Sequence, residues 1–222
     1  MNVIVVNVKT YKEGTGKNAL ELARIMEDVG NEYGIRMIIA VQPTDIFKIA
    51  DDVSIEVFSQ HMDAIDYGSN TGWILPHTIK EAGAKGVLVN HSEHRMKLED
   101  IAFNMEMAKK IGLQTIACAG NVNVARALAT FKPDYVAIEP PELIGGEISV
   151  TSARPEVIKN AVDAVRGINE NVEVLCGAGI KNGGDVARAI ELGAKGILVA
   201  SGVVKAKDRK MVLEDMARAL VK

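Results

Sequence analysis

The sequence predicts an α/β protein in which eight parallel strands, each followed by a helical connection, close into one (β/α)₈ barrel. Three observations predict it. Short β-branched runs, apolar on both faces, recur eight times along the chain, which is the pattern of parallel strands covered on both sides. Longer segments with helical periodicity separate most of these runs, and that alternation implies a parallel sheet with right-handed crossovers. No run has the polar character of an edge strand, which favours closure over an open sheet. At 222 residues the chain has the length of one such barrel, a fold that spans from roughly 200 residues upward. No linker, low-complexity tract or charge run divides it, so residues 1–222 are expected to form a single domain.

The eight runs are Val3–Val8, Met37–Val41, Ile55–Ser59, Gly86–Asn90, Thr115–Ala119, Tyr135–Glu139, Val172–Cys176 and Gly196–Ala200. After the first, Leu20, Leu22, Ala23, Met26 and Val29 mark the apolar stripe of a helix. After the sixth, Val157, Ile158, Ala161, Val162 and Val165 mark another. The third connection, from Gln60 to Gly83, is irregular and contains a loop at Tyr67–Gly72. The segments GAKGVLVN, from Gly83, and GAKGILVA, from Gly193, lie 110 residues apart. They lead into the fourth and eighth strands, half a barrel apart. Two related half-barrels would produce this, and so would the ordinary chemistry of a glycine that ends a helix before an apolar strand.

Composition narrows the function classes. Apolar residues make up 48% and charged residues 25% of the chain, which suits a globular protein with a sizeable core. The net charge of −3, with no basic stripe interleaved with aromatics, argues against nucleic acid as a partner. Cys118 and Cys176 lie 58 residues apart in apolar runs, with no metal-ligand spacing, and read as buried free thiols of a reducing compartment. The apolar run at the N-terminus is too short for a signal peptide. No stretch approaches the roughly 20 apolar residues of a membrane span. The expected location is the cytoplasm, with no membrane partner.

In a barrel of this kind, chemistry sits at the C-terminal ends of the strands. The first strand ends at Asn7, followed by Lys9. The fourth ends at Asn90 and His91, followed by Ser92 and Glu93. The sixth ends at Glu139, before Pro140, Pro141 and a segment with Gly145 and Gly146. The seventh runs into Gly177, Ala178 and Gly179, and the eighth into Ala200, Ser201 and Gly202. Each has a duller reading alone. A lysine at a strand end is usually a solvated charge, a histidine beside an asparagine is more often structural, and glycines say only that the chain turns. His61, His77 and His94 read as structural or surface residues, and Glu142 as exposed and non-catalytic. Together, though, the rim holds a carboxylate, an imidazole and a cation. These suit proton transfer beside a carbonyl, with the oxyanion stabilised as it forms. The glycine-rich turns after the last two strands suit a phosphate held by backbone N–H groups and a short helix start. Neither a metal nor a cofactor is called for.

These residues resemble, in order along the whole chain, the motifs of the triosephosphate isomerase family. Asn7-Val8-Lys9 is similar to its Asn-x-Lys start, and His91-Ser92-Glu93-His94-Arg95 to its His-Ser-Glu-Arg-Arg signature. Ala137-Ile138-Glu139-Pro140 resembles its sixth-strand motif, and Cys118 takes the position of its fifth-strand cysteine. Thr71 resembles the threonine of a loop that reaches, in this family, into the neighbouring subunit. The short chain, the Pro-Pro-Glu hinge and the Cys-Gly-Ala-Gly loop resemble the compact archaeal branch. Two positions depart from the pattern: Pro141-Glu142-Leu143 stands where the family has Pro-x-Trp, and His94 where it has arginine.

The resemblance implies a TIM barrel that interconverts dihydroxyacetone phosphate and glyceraldehyde 3-phosphate, a step of glycolysis and gluconeogenesis, without a cofactor. It implies Glu139 as the base, a neutral His91 as electrophile and proton shuttle, and Lys9 as the stabilising charge. Asn7 would position Lys9 and the substrate, with Ser92 and Glu93 supporting the histidine loop. Ile144 and Gly145 of a lid over 140–146, with Gly179, Ala200 and Ser201, would bind the substrate and its phosphate. A homodimer or homotetramer is implied. Two alternatives stand beside it: another phosphate-binding barrel enzyme, such as an isomerase of tryptophan or histidine biosynthesis, and a catalytically silent barrel that binds sugar phosphates.

Overall fold

The computed structural model describes residues 2–140 and 150–221 of the chain. Its strands are β1 (Val3–Asn7), β2 (Arg36–Val41), β3 (Glu56–Ser59), β4 (Gly86–Val89), β5 (Gln114–Ala119), β6 (Tyr135–Ile138), β7 (Glu173–Gly177) and β8 (Gly196–Val199). They pair in sequence order, all parallel, and β8 closes on β1 with Val3 opposite Gly196. Each expected run is recovered to within a residue at most ends. The seventh begins one residue late because the Val172 N–H is spent on a turn, bonded to the Asn169 carbonyl at 3.2 Å.

Helices α1 (Lys17–Tyr33), α2 (Pro43–Asp52), α3 (Pro76–Glu81), α4 (Leu98–Ile111), α5 (Val122–Ala129), α6 (Val150–Ala153), α7 (Pro155–Arg166), α8 (Gly183–Glu191), α9 (Ser201–Val204) and α10 (Arg209–Val221) fill the connections, with a 3₁₀ turn at Lys12–Gly14. The predicted stripe on α1 is buried. On α7, Ile158, Ala161, Val162 and Val165 are buried, while Val157 is only partly so. No described helix is long and apolar enough to cross a membrane.

Strand side chains alternate between two apolar layers, as the two-residue period requires. Val3, Val5, Ile38, Ala40, Phe58, Leu88, Ile116, Ala137, Leu175 and Leu198 fill the barrel interior. Their neighbours, such as Ile4, Val6, Ile39, Val57, Val89 and Val136, face the helices. This is why every strand reads as apolar on both faces. The interior is closed at the N-terminal end by Arg36, whose guanidinium makes two bonds to the Glu56 carboxylate at 2.6 Å. It also bonds the Tyr135 hydroxyl and the Gln114 side chain at 2.5 Å.

The repeated GAKG segments form the same turn twice. Gly83 and Gly193 have φ of +101° and +98°. Each donates its N–H three residues back, to Lys80 and Ile190, and the following alanine donates five residues back, to Ile79 and Ala189. This is the Schellman arrangement, in which a left-handed residue satisfies the last carbonyls of a helix. Turn chemistry therefore accounts for the first glycine of each segment.

Candidate active site

Continuing the inward parity of the strands toward their C-terminal ends places Asn7 above Val5, Glu139 above Ala137 and Gly177 above Leu175. Asn7 and Glu139 are both buried, at 4% and 5% exposure. The interior layer thus turns polar at one rim. There Asn7, Lys9, His91 and Glu139 line one cavity together with Gly179, Ala200 and Ser201.

Lys9 is held by its backbone before its charge is considered. Its φ is +50°, a left-handed conformation that costs a β-carbon-bearing residue free energy and persists only where surroundings impose it. The Asn7 side chain accepts the Lys9 N–H at 3.0 Å. The Gln60 amide donates to the Lys9 carbonyl at 2.9 Å and to the Ala40 carbonyl at 3.2 Å. The Lys9 ammonium donates to Glu93 Oε1 at 2.7 Å.

His91 follows a second left-handed residue, Asn90, with φ of +61°. Asn90 locks the loop: its amide donates to the Cys118 carbonyl at 3.1 Å, and its side-chain oxygen accepts the Met96 N–H at 3.1 Å. Arg95 donates to its carbonyl at 3.1 Å. The Glu93 backbone N–H donates to His91 Nδ1 at 3.2 Å. A ring nitrogen that accepts an N–H carries no proton of its own, so a neutral His91 holds its proton on Nε2. Nε2 faces Glu139 Oε2 at 3.6 Å, beyond hydrogen-bond length, which leaves the two groups side by side in the cavity lining.

Glu139 lies one residue past β6, yet its N–H still donates to the Ala119 carbonyl at 2.8 Å. Its Oε2 is buried without a hydrogen-bond partner among the described residues, a costly state for a carboxylate. Gly177 makes room for it: a β-carbon there would overlap Glu139 Cγ and stand 3.0 Å from Oε1. Below the carboxylate, burial first and the Glu139 charge second push the Cys118 thiol well up. That thiol stays protonated and unreactive. Both cysteines are free and buried, as expected.

The rest of the lining comes largely from the β7 and β8 loops, from Ala178 to Lys181 and from Ala200 to Gly202. Ala178 and Gly179 have φ of +72° and +73°, and Ala200 caps the short helix α9, whose first N–H groups lie at the rim. A β-carbon on Gly202 would stand 2.8 Å from the Ile180 carbonyl, so the β7 and β8 loops pack directly on each other. Ser92 is half-buried between His91 and Glu93. Ile144 and Gly145, with most of the expected lid, lie outside the described residues.

Gln60, Tyr11 and Lys181 carry no assignment from sequence, and Gly177 carries only that of a turn residue, not of the glycine that makes room for Glu139. Gln60 had a signal, being the polar residue just past the third strand. The others had none, because a glycine or a loop tyrosine reads the same at a rim as elsewhere.

His94, the departure from the family pattern, makes no salt bridge among the described residues; its ring stacks on His61 at 4.1 Å. His61 also contacts Asp63 at 3.1 Å. Burial lowers the His61 pKa more than Asp63 raises it, and the facing His94 lowers it further. A histidine depressed in the folded state opposes folding once pH falls below its unfolded value, about 6.5. Urea midpoints should therefore fall more for the wild type than for His61→Gln between pH 8 and pH 5.5; an equal fall in both would remove His61 as the cause.

The Triosephosphate isomerase family profile matches residues 2–220. Triosephosphate isomerases of Methanothermus fervidus and Archaeoglobus fulgidus are each 51% identical, over 96% and 99% of both chains respectively. That of Methanocaldococcus jannaschii is 50% identical over 99% of both. The crystal structure of triosephosphate isomerase from Bartonella henselae superposes with a TM-score of 0.77 at 19% identity, covering 100% of this chain and 99% of that one, which shows the shared fold. With the whole chain matched at about half identity, it belongs to the triosephosphate isomerase family.

Proposed function

We propose that the chain, acting as a single barrel domain, interconverts dihydroxyacetone phosphate and D-glyceraldehyde 3-phosphate through an enediolate. The observation that carries this is the convergence of Lys9, the His91 ring and the Glu139 carboxylate on one cavity lined also by the β7 and β8 loops. Glu139 takes a proton from the carbon beside the carbonyl, and the electron pair moves onto the carbonyl oxygen. His91, as a neutral imidazole, polarises the carbonyl by donating Nε2–H to that oxygen, and relays a proton between the two oxygens. Lys9 balances the developing charge, and Asn7 and Glu93 hold Lys9. Protonated Glu139 then returns its proton to the neighbouring carbon. Gly179, Ala200 and Ser201 bind the phosphate through backbone groups and the α9 start, with Ile144 and Gly145 completing that site.

Self-association into a dimer or tetramer belongs to the same reading. The base of the Thr71 loop is clamped where the Asp63 carboxylate accepts the Ile74 N–H at 2.6 Å. Its flanking Tyr67 and Trp73 are 68% and 59% exposed, an apolar tip suited to a second copy. Two free, buried cysteines fit a cytoplasmic setting. A coupled assay of glyceraldehyde 3-phosphate conversion, run beside sedimentation of the same sample, tests the reading. Rapid turnover by an oligomer is expected. A folded chain with no turnover would return the assignment to another phosphate-binding barrel or a silent one.

A further inference from the structure

The end of β8 carries a cation that the mechanism leaves unused. Lys205 closes α9, its N–H donating to the Ser201 carbonyl at 3.1 Å. It therefore lies one helical turn from the loop proposed to receive the phosphate, and side chains on a helix lean back toward its N-terminus. The ammonium sits 4.1 Å from the centroid of the Tyr11 ring, within the about 6 Å range of a cation–π contact. Tyr11 lines the same cavity as Lys9, Ala200 and Ser201. The charge of Lys205, itself an exposed residue, is thus held against a ring that lines the cavity. Arg209 holds the two segments together, donating to the Val204 carbonyl at 3.2 Å and to the Glu13 carbonyl at 2.7 Å.

The charge count gives this cation something to do. Among the described residues, Lys9 and Lys181 line the cavity with Glu139, and Glu93 pairs with Lys9 at 2.7 Å. Glu93 lies outside that lining, so the pair draws the Lys9 charge away from the β7 and β8 loops. Lys205 adds positive charge beside those loops.

We propose that Lys205, held on the face of Tyr11, is a phosphate-recognition residue that draws the substrate dianion into the β7–β8 side of the cavity without touching the reacting carbons. The inference rests on the function proposed above. Its test compares wild type, Lys205→Met and Lys205→Arg for KM, kcat and the inhibition constant of inorganic phosphate, at low and high ionic strength. At low ionic strength, Lys205→Met raises KM and the phosphate inhibition constant together by about 5-fold, with a smaller change in kcat. High salt shrinks the difference, and Lys205→Arg restores both constants. Tyr11→Leu, which releases the ammonium from its ring, moves both constants the same way. Unchanged phosphate inhibition in Lys205→Met at low ionic strength overturns the inference, as does a loss confined to kcat. Absence of both turnover and phosphate inhibition in the wild type overturns the function proposed above instead.

Discussion

Glu139→Gln is expected to lower turnover by about three orders of magnitude while leaving the fold intact, since positioned acid–base groups contribute on the order of 10²–10⁴ in rate. Glutamine matches the carboxylate in shape and cannot accept the carbon proton. Stability should not suffer. Glu139 is 5% exposed and its Oε2 has no partner among the described residues, so the exchange removes a buried charge rather than a satisfied one. Steady-state kinetics and a urea titration on the same preparation check both halves. Near-normal turnover in a folded variant would remove Glu139 from the mechanism.

Gly177→Ala should lower kcat by about 10², the cost of misplacing a reacting group by roughly 1 Å. The added methyl overlaps Glu139 Cγ, and β7 cannot retreat because Gly177 is paired with Leu198 of β8. The carboxylate is what gives way. Overpacking also costs stability, about 1–3 kcal/mol. Two measurements separate these effects. kcat should fall well beyond KM, and Gly177→Ala should add little to the loss already present in Glu139→Gln, because both act on one carboxylate. A double variant whose losses multiply would mean that Gly177 serves the strand rather than the base.

The two residues differ in how far sequence reaches them. Glu139 is legible because a carboxylate ending a run apolar on both faces, just before a proline, has no packing reason to be there. Lys9 and His91 are legible the same way, as polar groups at strand ends, and so are all eight strands, whose double-sided burial is written into consecutive β-branched residues. The glycine turns before β4 and β8 read correctly as helix ends, since their left-handed φ is a local requirement. Each of these signals is carried by residues adjacent in the chain.

Tertiary structure decided the rest. Closure of β8 on β1 pairs Val3 with Gly196, and Gly196 suits it because a β-carbon there would run into the Val3 carbonyl. Gln60 grips the strained Lys9 backbone from 51 residues away, and Lys205 meets the Tyr11 ring from the far end of the chain. The stack of His94 on His61 joins two separate loops where sequence offered only an absent arginine. Amide, ring and glycine carry no mark of their partners in sequence. Their meaning arises when closure of the barrel brings distant strand ends to one rim, a consequence of summed burial over the whole sheet rather than of any local pattern.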